Sequence, residues 1–359
     1  MDLGKQNILF FTRTMMLGGT ENVVLQLCEV FKPKVNKIVV CSCGGVNVEK
    51  LTEMGIRHYQ IPDISSKKDI FKICRIVKQI VEKEQITVIH SHHRMAAFYT
   101  EILFGSSIIK IANAHNTFYD KKLLTRFAYK NTKVIAVGEM VKKNLVDYFN
   151  IPEERVSVIH NAVKPFNEKV NMISVLDREK SKGNILIGNI GRLSEQKGMS
   201  YFIDAAEIVA SSNSKVRFVI VGDGELKKQL HEYVKSKLLQ DVFLFLGYRN
   251  DIQNVISQLD FIVISSLWEG LPLTPIEAYS VGKTVIGTAV DGTKEIIRDG
   301  IDGYLIEPRN SIQIAERMIE LIEHPEIRER MNVCAKEHYC NEFSFRLLKK
   351  KYLDYYERL

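Results

Sequence analysis

The stretch SSLWEGLPLTPIEA, residues 265–278, follows an apolar run at Phe261–Ile264 and decides the fold. A short β-branched and aromatic run predicts a buried strand, and a proline suits the first turn of a helix. If that helix starts near Pro272, the N–H groups of Leu273 and Thr274 are free to bind a phosphate. The stretch therefore predicts strand, loop and helix, the repeating unit of a parallel α/β sheet.

Two glutamates bracket this predicted loop. Glu277 lies early in the helix and can accept two hydrogen bonds from vicinal hydroxyls, as a ribose offers, whereas Glu269 lies at the strand end and can accept from sugar hydroxyls. Glutamates near a helix start also commonly complement the helix dipole at the surface. The apolar surroundings of this pair favour the ligand-binding interpretation.

Strands and helices alternate along the rest of the chain, which predicts two doubly wound α/β domains. Ligands of such sheets bind at the carboxyl ends of the strands, so a cleft between the two domains is expected. The predicted domains are 1–165 and 184–342, joined by a polar linker at 166–183 and followed by a helix at 343–359 that could pack across both. The predicted strands are Ile8–Thr12, Lys37–Cys41, His58–Ile61, Thr87–His90, Lys110–Ala114, Val134–Val137, Val156–Ile159, Ile185–Ile190, Phe218–Val221, Phe243–Leu246, Phe261–Ile264, Val285–Gly287 and Tyr304–Ile306, with amphipathic helices such as Ile70–Lys83 and Met140–Phe149 between them.

Composition narrows the class of protein. The 359 residues are 45% hydrophobic and 26% charged, a balance typical of folded soluble proteins. The six cysteines form no C-x-x-C pair, and the sequence shows no apolar signal region, so we expect a cytoplasmic protein without a disulfide framework or a metal. Residues 1–170 hold 25 basic against 16 acidic residues, and the remainder holds 25 against 27. This asymmetry indicates an anionic partner for the first half, or simply a solvated basic surface.

A second motif, GNIGRLSEQKG at residues 188–198, places Arg192 and Lys197 between a predicted strand and a predicted helix. Two cations beside a helix N-terminus can hold a diphosphate and stabilise it as it leaves. Exposed loop cations are the alternative interpretation. The nearby VGDGE, with Gly222 and Gly224, permits close backbone approach to a ligand, and a plain tight turn is an equal alternative because the third glycine of a dinucleotide motif is absent.

The first half carries comparable features after its own strands. Gly18 and Gly19 precede a predicted helix and offer an anion site. His115 follows another strand, where a histidine is either a ligand contact or part of the core. His92 and its neighbouring histidines have no nearby carboxylate or cysteine, so they are interpreted as cleft wall and acceptor contacts and not as metal ligands.

Taken in order, these motifs resemble the retaining glycosyltransferases of family four, which have the GT-B fold of two Rossmann-like domains. The resemblance covers essentially the whole chain. It implies the transfer of a hexose or N-acetylhexosamine from a nucleotide diphosphate sugar, most commonly UDP-linked, to a glycan or lipid-linked acceptor in bacterial surface polysaccharide synthesis. No cofactor or metal is implied.

The resemblance also implies roles for individual residues. Catalytic or charge-stabilising roles fall on His115, Arg192, Lys197 and Glu269. Donor binding falls on Gly18, Gly19, Gly222, Tyr248, Arg249, Leu273, Thr274 and Glu277. Contacts on the acceptor side fall on Glu21 and His92.

Three further expectations concern partners and competing functions. Basic-apolar segments at 66–75 and 120–130 fit an anionic membrane surface on the inner face of the plasma membrane, unless they bury their apolar face on their own sheet. A nucleotide-sugar epimerase of the same fold is one alternative, but it would need acid/base residues for proton transfer at the sugar. A nucleic-acid-binding protein is the other, disfavoured because no aromatic residues are interleaved with the cations and the second half is acidic.

Overall fold

The computed structural model, which describes every residue apart from the side chain of Lys67, contains two parallel β-sheets of seven and six strands. The chain divides into two compact units. The first comprises Met1–Asn161 together with Leu348–Leu359, and the second comprises Ala162–Leu347. The predicted α/β class with two parallel sheets is therefore confirmed.

The first unit is a seven-stranded sheet in the order β3-β2-β1-β4-β5-β6-β7. Its order reverses between β1 and β4, so right-handed crossovers place helices on both faces. Its elements are β1 (Asn7–Phe11), α1 (Gly19–Phe31), β2 (Lys37–Ser42), α2 (Val48–Glu53), β3 (Arg57–Gln60), α3 (Ile70–Glu84), β4 (Val88–Ser91), α4 (Arg94–Leu103), β5 (Ile109–Ala114), α5 (Lys122–Ala128), β6 (Lys133–Ala136), α6 (Glu139–Lys143) and β7 (Val156–Val158).

The second unit repeats the plan with six strands in the order β10-β9-β8-β11-β12-β13. Here the order reverses between β8 and β11. Its elements are α7 (Ser174–Ser181), β8 (Ile185–Ile190), α8 (Met199–Ser212), β9 (Val216–Val221), α9 (Lys227–Ser236), β10 (Phe243–Gly247), α10 (Ile252–Ser257), β11 (Phe261–Ile264), α11 (Leu273–Ser280), β12 (Val285–Thr288), α12 (Asp291–Ile296), β13 (Gly303–Ile306), α13 (Ser311–Glu323), α14 (Pro325–His338) and α15 (Phe345–Glu357), the last of which belongs to the first unit from Leu348 onward.

Burial explains why the strands were readable from sequence. All five residues of β1 and all four of β11 are buried, as expected for parallel strands covered on both faces. Helix α3 buries Ile73, Val77 and Ile80 on one stripe, and it ends at Gln85, which adopts a left-handed conformation with φ of 52°. The predicted helix at Met140–Phe149 is present as α6 continued by a π-helical segment at Asn144–Tyr148.

The predicted polar linker at 166–183 contains regular structure. Residues 174–181 form helix α7, which the sequence pattern did not indicate. Only Leu176 and Glu179 are buried in this helix, which leaves no apolar periodicity to read. Upstream, the Asn171 N–H donates to the Asn254 side-chain oxygen at 2.8 Å, and the Asn254 amide donates to the Asn171 carbonyl at 2.9 Å, which fastens this segment to α10 of the same unit.

No bilayer-spanning helix is found among the described residues, since every helix is too short or too polar for that.

Candidate functional site

The strand reversal in the second unit brings together the loops that follow β8 and β11. Lys197 lies on the first loop and Glu269 on the second, and the Lys197 Nζ lies 2.5 Å from the Glu269 Oε1. The side chains are 19% and 7% exposed, so this ion pair is largely removed from water. Two of the charged residues predicted to contact a nucleotide sugar are therefore adjacent, although they are 72 residues apart in sequence.

Further hydrogen bonds hold the two loops together. The Ser266 hydroxyl donates to the same Glu269 oxygen at 2.7 Å. The Leu267 N–H donates to the Gln196 carbonyl at 2.8 Å, and the Ser265 hydroxyl donates to the Lys197 carbonyl at 3.0 Å. The Lys197 ammonium has three N–H donors, and Glu269 uses one of them, so the ammonium can donate to a ligand while the ion pair stays intact.

The amino end of α11 lies just beyond Glu269. Pro272 is the N-cap, and no side chain caps the helix. The N–H groups of Leu273 and Thr274 point out of the first turn without intrahelical acceptors, and Pro275 has no N–H at all. The helix therefore offers two backbone donors and the positive end of its dipole to an anion, as the sequence predicted.

Glu277 lies one turn further along α11 and is half-buried. Burial raises the pKa of its carboxyl to about 7, and the Lys197 cation opposes this by lowering the pKa. Near neutral pH the carboxyl is thus divided between an ionised form, which accepts two hydrogen bonds, and a protonated form, which also donates one. Glu277 and Lys197 consequently belong to one electrostatic cluster.

Arg192 differs from Lys197 in its surroundings. Its side chain is 75% exposed, and its one ion pair joins Nε to the Glu225 Oε2 at 3.5 Å. Such a pair contributes little to stability. The guanidinium is therefore free to turn towards a phosphate, and the prediction that it binds a diphosphate stays a prediction.

Gly222 and Gly224 serve the fold of this loop. A Cβ at Gly222 would overlap the Gly191 carbonyl oxygen, and a Cβ at Gly224 would overlap the backbone of Leu193. The Leu193 N–H also donates to the Asp223 carbonyl at 3.0 Å. The V-G-x-G turn thus supports the loop that carries Arg192 and Lys197, whereas direct contact between Gly222 and a donor stays a prediction.

The loop after β10 presents Tyr248 and Arg249, two of the residues predicted to bind the donor. The Tyr248 ring is 52% exposed. Arg249 pairs with Asp251 through Nε at 2.8 Å and Nη2 at 2.6 Å, which fixes the guanidinium plane. These residues, with Asn171 and Asn250, line an open cavity of about 550 Å³.

In the first unit, Gly18 is the N-cap of α1 and Gly19 its first residue. The Glu21 carboxylate folds back over Gly18, where an added Cβ would lie 2.5 Å from its Oε2. Glu21 also accepts a hydrogen bond from the Thr14 hydroxyl. The assignment of Glu21 to the acceptor stays a prediction.

His92, predicted to contact the acceptor, follows β4, and His115, predicted to be catalytic, follows β5. Their side chains lie together. The His92 Nδ1 lies 3.2 Å from the His115 Nε2. Burial lowers the pKa of His115 to about 4 and that of His92 well below its usual value, so both imidazoles are neutral at pH 7. Within the described part of the chain the buried His92 Nε2 has no hydrogen-bond partner.

A network that sequence reasoning missed holds His90 behind this pair. The Asn113 amide donates to the Tyr352 hydroxyl at 2.7 Å, so its oxygen is left to accept from the His90 Nε2 at 2.7 Å. The His90 Nδ1 must then accept from the Tyr356 hydroxyl, also at 2.7 Å. Both ring nitrogens are used, which fixes the neutral tautomer and leaves none for a ligand.

Comparisons with known proteins agree with this arrangement. Residues 17–165 match the family model described as Glycosyltransferase Family 4, and residues 176–338 match that described as Glycosyl transferases group 1. The UDP-Gal:alpha-D-GlcNAc-diphosphoundecaprenol alpha-1,3-galactosyltransferase of Escherichia coli is 28% identical over 318 residues, covering 81% of each chain. The phosphatidylinositol N-acetylglucosaminyltransferase GPI3 subunit of Saccharomyces cerevisiae is 25% identical, covering 85% of this chain and 73% of that protein.

Among solved structures, Anabaena Alr3699/HepE in complex with UDP superposes with a TM-score of 0.85 at 19% identity, covering 99% of this chain and 100% of that one. The predicted GT-B fold, with two Rossmann-like domains in one chain, is thereby confirmed.

The raised pKa of Glu277 gives a prediction about stability. Above its ordinary pKa of 4.5 the unfolded chain ionises Glu277 while the folded chain resists doing so until about pH 7, so this group destabilises the fold increasingly between those values. Glu277→Gln should therefore raise the free energy of unfolding relative to the unsubstituted protein, by an amount that grows from pH 5 to pH 8 towards at most about 3 kcal/mol. Denaturant unfolding at both pH values measures it.

Glu316→Gln, at an exposed position of α13, is the matched control and should give a difference that does not vary with pH. A Glu277→Gln variant that is less stable at pH 8 than at pH 5, relative to the unsubstituted protein, would contradict the assignment.

Proposed function

Because the chain belongs to the family 4 glycosyltransferases, we propose that it moves a hexose or N-acetylhexosamine from a UDP-linked donor to a glycan or lipid-linked acceptor in bacterial surface polysaccharide synthesis. The E. coli relative is named for a UDP-galactose donor and a diphosphoundecaprenol-linked acceptor, and the Anabaena neighbour is solved with UDP. Family membership favours this transfer over the epimerase alternative, since the E. coli and S. cerevisiae relatives are both named as transferases.

The observation that carries the proposal is the Lys197–Glu269 pair beside the uncapped amino end of α11. We propose that the donor diphosphate lies against the Leu273 and Thr274 amides and the Lys197 ammonium, with Arg192 turning in from the surface. Glu277 would accept hydrogen bonds from the ribose hydroxyls. Cations and oriented amides would then stabilise the negative charge that develops on the leaving phosphate, without a metal ion.

Transfer is proposed to retain the anomeric configuration by front-face displacement. The glycosidic C–O bond to the phosphate breaks as the acceptor oxygen bonds the same face of the anomeric carbon, and the leaving phosphate oxygen takes the acceptor's proton. The residues of the second unit then stabilise charge and orient the sugar. The proposal is tested by a thermal-shift screen of nucleotide sugars, since a donor at a hundred times its dissociation constant stabilises the protein by about 2.7 kcal/mol.

If the screen identifies a donor, product formation with GlcNAc-diphosphoundecaprenol and the anomeric coupling of the product test acceptor and stereochemistry. Incubation with donor alone should give no isomerised sugar. An isomerised donor would establish the epimerase instead.

Arg192→Ala should lower kcat about a hundredfold, because an oriented cation at a leaving phosphate contributes roughly 3 kcal/mol to transition-state stabilisation. Thermal stability should stay unchanged, because this side chain is 75% exposed and makes one long ion pair. Steady-state product formation measures kcat. Lys228→Ala, which removes a 91% exposed cation of α9, is the control and should be fully active. Equal kcat for both variants would remove Arg192 from the mechanism.

We also propose that the first unit lies on anionic lipid. Helices α3 and α5 both contact α4, and each leaves a large apolar side chain in solvent, with Phe71 90% and Leu123 79% exposed. The same helices bury other residues on their own unit. Burial of the apolar face on the sheet, the alternative interpretation of these segments, therefore does not account for the exposed Phe71 and Leu123. Within the predicted segment 66–75, the side chain of Lys67 lies outside the described residues.

Replacing both exposed side chains, Phe71→Glu and Leu123→Glu, should abolish co-sedimentation with phosphatidylglycerol vesicles, because burial of apolar surface and attraction to anionic lipid are lost together. The control is Leu238→Glu in the second unit, which changes an 82% exposed leucine and should leave vesicle binding intact. Unchanged sedimentation of the double variant would refute the membrane surface.

A further inference from the structure

A groove in the second unit is not part of the donor site described above. It runs between the start of α8 and one side of α9, with Leu267 and Arg309 at its edge, and encloses about 820 Å³. This volume lies within the range of about 300–1,000 Å³ that is typical of small-molecule sites. Arg192, Lys197, Glu269 and Glu277 do not border it among the described lining residues, so the groove uses other residues of the loop at 194–198.

The polar groups of the groove suit hydroxylated ligands. Glu195 from the loop, Gln229 and Glu232 from α9, and Arg309 are all exposed at their positions and contribute carboxylate, amide and guanidinium groups. These are planar groups that form paired hydrogen bonds with neighbouring hydroxyls. Ser194, Ser200 and Ser236 add hydroxyls to the same lining. Such a set can satisfy the donors and acceptors of a sugar ring from several sides.

Two tyrosines give the groove rigid aromatic surface. The Tyr233 hydroxyl donates to the Asp204 carboxylate at 2.6 Å, and the Lys237 ammonium lies 5.1 Å from the Tyr233 ring centroid, so this ring is held before any ligand arrives. The Tyr201 ring packs against Gly198, whose left-handed φ of 55° lets the chain turn there. Fixed rings bind apolar sugar faces with little loss of conformational entropy.

Charge selects among hydroxylated ligands. The lining holds one cation, Arg309, and the carboxylates of Glu195 and Glu232, the second of which also pairs with the exposed Lys228 at 3.9 Å. The described lining therefore offers a phosphate or nucleotide no cluster of cations, whereas an uncharged sugar needs none. We propose that this groove binds a neutral oligosaccharide, namely part of the glycan that the enzyme extends. The identity of that glycan rests on the proposed function. A second contact of this kind would raise the effective concentration of longer acceptors at the enzyme.

Hydrogen–deuterium exchange on the full chain, with UDP present to fill the donor site, tests the groove. The probes are neutral trisaccharides of glucose, galactose and N-acetylglucosamine. We expect one of them to slow exchange in both 194–201 and 226–236. Gln229→Ala and Tyr201→Ala should each weaken its binding about tenfold, as expected for the loss of a hydrogen-bonding or stacking partner. Lys235→Ala, on α9 but outside the lining, is the control and should bind normally.

The exposed Gln229 tests the groove even if Tyr201→Ala unfolds the chain. Three results would overturn the proposal: none of these trisaccharides slows exchange, exchange slows only outside 194–201 and 226–236, or a trisaccharide phosphate binds more tightly than its neutral counterpart. Affinity for UDP should be the same in all three variants. If UDP does not bind the unsubstituted protein, the proposed donor fails, while protection by a trisaccharide still decides the groove.

Discussion

The buried ion pair between Lys197 and Glu269 is the interaction on which the rest of the candidate site depends. Removing either partner alone would leave an uncompensated charge in a largely buried position, which is strongly destabilising. The pair therefore fixes both loops at the strand reversal and keeps an ammonium close to the amino end of α11 in the absence of ligand. A positive centre that is already in place need not reorganise when negative charge develops on a leaving group.

Backbone constraints at the same edge of the sheet make this pair possible. Gly222 and Gly224 let their turn support the Arg192 loop, and Gly292 in α12 lies so close to Gly270 that a Cβ would overlap its carbonyl. Pro272, with φ of −68°, starts α11 without a capping side chain, which leaves the two following amides open. The glycines thus allow the loops to lie close together, while Lys197 and Glu269 provide the charged groups of the site.

The strands and the α/β class were predictable from sequence because parallel strands buried on both faces appear as short apolar runs. Helix α7 was missed because a single apolar anchor, Leu176, gives no period. Contacts between side chains that are distant in sequence were the main feature of the site that could not be predicted. Neither the contact of Lys197 with Glu269 nor that of His90 with Tyr356 leaves a local pattern, since the partners are 72 and 266 residues apart. Glu21 was recognised as notable, but its hydrogen bond from the Thr14 hydroxyl depends on local geometry that the motif does not specify.

The most direct test of the account compares UDP with uridine by calorimetry in variants that lack the Glu269 carboxylate. In Glu269→Gln, the further change Lys197→Met removes the ammonium without leaving a carboxylate unpaired. We predict that this second change weakens UDP binding at least about tenfold, the loss of a charge-assisted contact to phosphate, and leaves uridine binding unchanged. Equal UDP affinity in the single and double variants would contradict the claim that Lys197 holds the diphosphate.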